Sequence, residues 1–470
     1  MIDLTKPPTR VRGELLGAGL AALLVAVAFL VPQLASESWR DSVFAAAAPI
    51  FGHWAPRVGW GTFPALALAV AVVLWGPALT HRLAWRPLLG ASYLTALTWA
   101  FALAFVDGWK RGITSRLADG HEYLAEVPGV TDIPAMLHGF ADRILDGQPD
   151  SWTTHVSGHP PGALLFFVLL DRLGLGGPTW AGIVCVLVGC TAPLAVAVAL
   201  RALGSEDRAR AVLPFLVLAP AAIWIAVSAD AVFTGVTAWG VALLAVAAGR
   251  AIAPAASGAP PVTTPMNTAA TATSRADRRY PVAAVAAGML LALGIYLNYG
   301  LVLMGFLAVA VLFAARTARP LIPAVLGALF VVAAFTIAGF WWFDGYHLVV
   351  DRYYQGIAMD RPYGYWWWGN LAATVCAVGL ATAAALSHAL APARLRALEP
   401  GSLLVAAALC AIAAADISGL SKAETERIWL PFDMWLLVAT AFLPAARTRP
   451  WLAVQAAGAV ILVHLLKTNW

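Results

Sequence analysis

HPPGALLFFVLLDRLG, residues 159–174, decides how the rest of the chain is laid out. Its apolar run, 161–173, makes a helix of about 20 Å, short of the ~30 Å hydrocarbon core of a bilayer. It closes with Asp171 and Arg172, and Gly174 and Gly176-Gly177 follow. The run therefore reads as a helix lying against the outer membrane face without crossing. Were it to cross, every Arg cluster downstream would change sides.

The remainder of the chain is read outward from that helix. Of 470 residues, 61% are apolar and 12% charged, against about 25% charged in soluble domains. A soluble core cannot hide so much apolar surface. The expected fold is an all-α polytopic integral membrane protein, one membrane domain over 1–470. Spans are expected near 13–34, 58–79, 87–106, 179–200, 210–228, 231–249, 281–298, 300–315, 320–342, 365–390, 401–416, 428–446 and 450–466, about thirteen crossings in all. With the N-terminus cytoplasmic, the basic residues between these runs fall on one side. They are Lys6, Arg10 and Arg12; Arg82 and Arg86; Arg201, Arg208 and Arg210; Arg250 to Arg279; Arg316 and Arg319; Arg394 and Arg396; Arg447 and Arg449. Segments 35–57, 107–178, 343–364 and 416–427, with turns near Asp230 and Asn298, then face outward from the plasma membrane.

Several functions are disfavoured at once. The net charge of +5 comes from loop arginines, the pattern of cytoplasmic loops rather than of nucleic-acid binding. All four cysteines lie in apolar runs, which leaves no disulfide framework and no thiolate metal site. The opening MIDLTKPPTRVR reads as the flank of an uncleaved first span. Residues 250–280, rich in Ala, Pro, Thr and Ser, read as a flexible cytoplasmic linker. Residues 132–146 place Ile133, Met136, Leu137, Phe140, Ile144 and Leu145 on one face, the pattern of an amphipathic interfacial helix.

Chemistry-bearing side chains gather outside the spans. Loop 107–160 holds Asp107, Asp119, Glu122 and four of the nine histidines, His121, His138, His155 and His159. Loop 343–364 adds Arg352, and loop 416–427 adds Lys422, Glu424, Glu426 and Arg427. An Arg at a helix mouth is either a snorkelling anchor or a fork for phosphate oxygens. The spans themselves are nearly free of charge, Asp433 being the main exception. Coupled transport needs ionisable groups near the bilayer centre, so this distribution favours interfacial chemistry.

The segment HPPGALLFFVLLDRLG, the later PAAIWIAVSAD (residues 220–230) and Arg427-Ile428-Trp429-Leu430-Pro431 occur in an order that resembles the polyprenyl-phosphate-dependent membrane glycosyltransferases. This is the GT-C class that includes protein O-mannosyltransferases and aminoarabinose transferases. The likeness covers roughly residues 100–445. Two extra spans precede the acidic loop, and the usual Asp-Glu pair stands here as His121-Glu122.

The resemblance implies an enzyme that moves a sugar from a polyprenyl-phosphate donor in a membrane lipid phase to an acceptor hydroxyl on a glycan, lipid or protein. Asp107 or Glu122 would take the hydroxyl proton, with His121 beside them. His155, His159, Arg352, Lys422 and Arg427 would bind the lipid phosphate. Asp119 and Glu122 would suit Mg²⁺ or Mn²⁺ if a divalent cation assists. Two rival readings remain: a transporter or flippase of a lipid-linked envelope precursor, and a non-catalytic scaffold of an envelope-assembly complex.

Overall fold

The protein, described here from a computed structural model over residues 9–249 and 267–469, is an all-α membrane protein. Its helices form from Ala-, Leu- and Val-rich runs that satisfy their own backbone groups, as hydrocarbon requires. Prolines open Pro161–Arg172, Pro178–Gly189, Ala192–Ala202 and Pro400–Ile417, where their missing N–H has no partner to lose. Apolar side chains point outward on the peripheral helices: Leu16, Leu20 and Leu23 on Thr9–Leu34, Phe63, Val70 and Trp75 on Thr62–Arg82, Ile322, Leu326 and Phe330 on Leu321–Ile337. Outward apolar surface on this scale belongs in lipid.

Small residues let the inner helices touch. Gly288, on Asn267–Leu297, lies against the backbone of Ala324, and Gly327, on Leu321–Ile337, lies against that of Val285. A Cβ at either position would strike a carbonyl oxygen, so the two backbones approach as closely as small-residue packing in membranes allows.

Among the described residues, seven helices are long and apolar enough to cross a membrane, or up to nine if each of two bent pairs is one span. The sequence count of about thirteen is higher for physical reasons. The runs 210–228 and 428–446 are apolar because they are buried in protein. The first breaks into Glu206–Val217 and Ala222–Ile225. The second breaks into Thr425–Ile428, Leu430–Leu436 and a tighter turn Leu437–Phe442. Run 365–390 bends by 99° at Gly379, and Leu321–Ile337 turns by 73° into Trp342–Gln355. Run 300–315 falls within Tyr299–Ala315, too short to count alone. The helix Ala445–Leu465 is long enough, but Arg447, Arg449, Gln455 and His464 interrupt its apolar character.

Three local expectations are corrected. Residues 132–146 are not one interfacial helix: Ile133–His138 stops at Gly139 and a short turn Ala141–Arg143 follows. Phe140 and Ile144 are fully buried, Phe140 packing on Trp152 and Phe340, so that face covers protein rather than lipid. Residues 267–280 of the expected linker belong to the helix Asn267–Leu297, and 250–266 lie outside the described residues. Residues 342–355 of the expected outer loop form the amphipathic helix Trp342–Gln355.

The deciding helix Pro161–Arg172 has both ends on loop 107–160. Arg172 donates to the carbonyls of Val130 (2.7 Å) and Thr131 (3.3 Å), and the short helix Thr154–Ser157 leads into its other end. It packs with most of its surface buried, Gly162 lying against Tyr296.

Polar contacts sort the loops into two groups. In the first, Phe51 N donates to Glu426 (2.9 Å), Arg57 pairs with Asp107, Arg352 with Asp146 (3.3 Å) and Arg361 with Glu424 (3.3 Å). In the second, Arg210 donates to the carbonyl of Leu83 (3.0 Å), Arg208 pairs with Glu399 (3.3 Å) and Arg447 with Glu14 (2.7 Å). A two-stranded antiparallel ribbon, Gly52–Trp54 on Leu466–Thr468, brings the end of the chain into the first group.

Asp107 ties that group together. Its carboxylate takes Arg57, Arg116 (3.1 Å) and, more distantly, Arg111 (4.0 Å), and Arg111 and Arg116 also donate to the carbonyl of Thr468. Removing one member of a buried charge group leaves the others uncompensated, at a cost of about 3–5 kcal/mol. Asp107→Asn should therefore lower the melting temperature of the detergent-solubilised protein clearly, and an unchanged melting curve would show that the knot is not structural.

Candidate functional site

Two broken segments and one polar loop build the site. PAAIWIAVSAD ends at Asp230, in the first turn of Ala229–Ala248, where the helix dipole favours an acid. Thr425–Ile428 carries Arg427. Arg427 donates to Asp230 (2.6 Å) and to Glu424 (3.2 Å), and all three are buried or nearly so. Burying a guanidinium without such partners would be prohibitive.

Beside this cluster lies a cavity of about 350 Å³. Thr154, His155, Gly158 and His159 line it together with Arg361, Lys422, Glu424 and Arg427. Leu301, Val302, Ile428 and Phe432 give it an apolar part, and Tyr299, Tyr346 and Tyr353 contribute rings. Three cations against Glu424 and Asp230 leave one net positive charge, an environment for a monoanion carried on an apolar body.

Glu122 sits behind His155. It is 3% exposed, and its Oε1 lies 3.1 Å from His155 Nδ1. Burial pushes the Glu122 carboxyl up from 4.5 to about 8, against the pull of Arg427 and with the push of Asp230 and Asp119. Burial, then Arg427, His159 and His121, hold the His155 imidazole well below its usual range, so it is neutral. His159 Nδ1 lies 2.8 Å from the carbonyl of His155. A carbonyl only accepts, so Nδ1 carries the proton and Nε2 keeps its lone pair. Tyr123 stacks on Phe167 and stands edge-on to both imidazoles, which fixes their planes.

The structure thus brings His155, His159, Lys422 and Arg427 to one cavity, with Glu122 directly behind. The other expected residues lie elsewhere. Asp107 belongs to the arginine knot. His121 is exposed; its carbonyl takes the N–H of His155 (3.0 Å) and its ring reaches Thr154 (3.4 Å). Asp119 is exposed and accepts the N–H of His121 (2.9 Å). Arg352 pairs with Asp146 and does not line the cavity. With Asp119 exposed and Glu122 buried, the two carboxylates do not form a ready cation site, and no group of three or more His, Cys, Asp or Glu among the described residues could hold a metal ion.

Asp230, Arg361 and Glu424 join the site without having been singled out as binding residues. Asp230 closes the quoted motif, which is a signal in the sequence; Arg361 and Glu424 lie in charged loops with no local feature that ranks them. No family model, curated protein or solved structure matches the chain.

Two measurements check this arrangement. Arg427→Met strands Asp230 and Glu424 and should cost about 3–5 kcal/mol; adding Asp230→Asn should recover part of that loss, and strict additivity would mean the pair is not coupled. Because the folded protein holds the Glu122 proton far more tightly than the unfolded chain, that stability is fully present below about pH 4.5 and is lost as pH rises through about 8. The melting temperature should fall over this window and fall less in Glu122→Gln, a residual slope remaining from Glu426, which burial raises to about 7.

Proposed function

We propose that the protein is a GT-C type glycosyltransferase that moves a sugar from a polyprenyl-phosphate donor to an acceptor hydroxyl. The observation that carries this reading is the cavity. It sets neutral imidazoles against a cationic wall, with an apolar part alongside, from residues that are hundreds of positions apart in the chain. A sugar phosphodiester of a prenol bears one negative charge and an apolar tail, which matches the net charge and lining. The order of the motifs that resembles the GT-C class supports the same reading.

In the proposed reaction the acceptor oxygen attacks the anomeric carbon with inversion. The bond from that carbon to the phosphate oxygen breaks, and the phosphate leaves with the electron pair. Arg427, Arg361 and Lys422 stabilise its second negative charge as it grows. The hydroxyl proton passes to Nε2 of His155, provided Nδ1 donates to an ionised Glu122; this dyad replaces the single carboxylate expected from sequence. His159 Nε2 accepts from a second hydroxyl. No step calls on a metal. With the arginine-rich loops in the cytoplasm, the cavity opens on the outer side of the plasma membrane.

The test is transfer of labelled sugar in proteoliposomes. Glu122→Gln and His155→Ala should each lower turnover about 100-fold or more. Asp107→Asn should retain turnover in its folded fraction. The wild-type rate should climb as pH rises towards 8, and Glu122→Gln should lose that climb. Translocation of a lipid-linked precursor that survives both Glu122→Gln and His155→Ala, with no sugar transferred, would establish the flippase alternative.

A further inference from the structure

The cationic wall of the cavity stands on an unusual piece of backbone. Segment 418–424 links Pro400–Ile417 to Thr425–Ile428 and supplies Lys422 and Glu424. Ala423 (φ 74°) and Glu424 (φ 62°) are consecutive non-glycine residues in the left-handed region. Side chains disfavour that conformation, so the surroundings must impose it.

Asn370 restrains the turn. It is fully buried on Tyr363–Val378 and does not line the cavity. Its Nδ2 donates to the carbonyl of Ser421 (2.6 Å) and to Asp416 Oδ1 (2.8 Å). Its Oδ1 accepts the N–H of Ala423 (3.2 Å). One amide thus grips the turn on both sides of Lys422. The residue it brackets is held from two further directions. Tyr353 Oη accepts the N–H of Lys422 (2.8 Å), and Arg361 donates to the Lys422 carbonyl (2.7 Å). Arg361 also donates to Glu424 Oε1 (3.3 Å), which shares its carboxylate with Arg427.

We infer that Asn370 is a positioning residue for anion binding: it holds turn 418–424 in its left-handed form, so that Lys422, Arg361 and Arg427 converge on one phosphate. Asparagine is needed because the site demands two donors and one acceptor in a plane. Aspartate offers no donor and would face Asp416; alanine offers nothing. The inference rests on the reading of the cavity as a lipid-phosphate site, and its test separates the two.

The experiment is equilibrium binding of a polyprenyl monophosphate to the full-length protein in lipid nanodiscs, scored on the folded, monodisperse fraction. Wild type should bind. Asn370→Ala should raise Kd at least tenfold, Asn370→Asp more, and Asn370→Ser, which keeps one donor, less. The double variant Asn370→Asp with Asp416→Asn restores a donor opposite the carboxylate and should bind more tightly than Asn370→Asp alone. Salt dependence should weaken alongside affinity, a change that simple loss of folded protein does not produce. Wild-type affinity retained in both Asn370→Ala and Asn370→Ser overturns the positioning role and leaves the cavity reading intact. If either variant fails to fold, the others decide. Absence of binding by wild type overturns the cavity reading and the inference with it.

Discussion

The buried pair of Arg427 and Asp230 is the constraint around which the site is arranged. A guanidinium placed at a helix mouth within an apolar bundle has no water to fall back on, so its five donors must be met by protein or ligand. Asp230 meets it from the first turn of Ala229–Ala248 and Glu424 from the strained turn before Thr425–Ile428. That requirement forces two distant segments together, and both are interrupted helices. Interruption frees backbone and side chains to face inward, which a lipid-facing helix cannot allow. The same charges reach Glu122, where Arg427 opposes and Asp230 reinforces the larger effect of burial on its proton.

Glu122 carries a conflict between folding and chemistry. The folded protein is most stable with this carboxyl protonated, because burial penalises its ionised form. The proposed proton transfer needs it ionised, so that His155 presents a lone pair to the cavity. Stability should therefore fall with rising pH where turnover climbs. Strain of this kind is common where a protein does work. In the proposed reaction, a phosphate on the cationic wall would reduce the pull of Arg427 on Glu122 and raise its proton affinity further, so that donor binding and base activation would oppose each other.

Much of this was legible in the chain. Composition alone announced the membrane, and Pro161–Arg172 sits with both ends on the loop that the sequence assigned it to. Segments 35–57, 107–178, 343–364 and 416–427 meet through contacts such as Arg57 to Asp107 and Arg361 to Glu424. What hydropathy cannot express is the difference between apolar because of lipid and apolar because of neighbours. Runs 210–228 and 428–446 look like spans and are interior. The site shows the same blind spot. Asp107 has the position of a base at the end of a span, yet three arginines occupy it, and only Arg57, fifty residues earlier, reveals why. Asn370 sits in an aromatic, apolar stretch and carries no local sign that it grips a turn fifty residues later.

Two contacts far apart in sequence show how the polar groups are assembled. Glu14, near the start, accepts from Arg447, His388 and Trp451, among the arginine-rich connections. The last described strand, Leu466–Thr468, pairs with Gly52–Trp54 at the site end. Helix Pro161–Arg172, anchored twice to the same loop, stays with the latter of these groups. If the arginines mark the cytoplasm, a prenyl-phosphate head reaches the cationic wall from the outer leaflet, its tail remaining in lipid while only the phosphate and sugar enter. In the proposed reaction the apolar part of the cavity, Leu301, Val302, Ile428 and Phe432, is where that tail would begin.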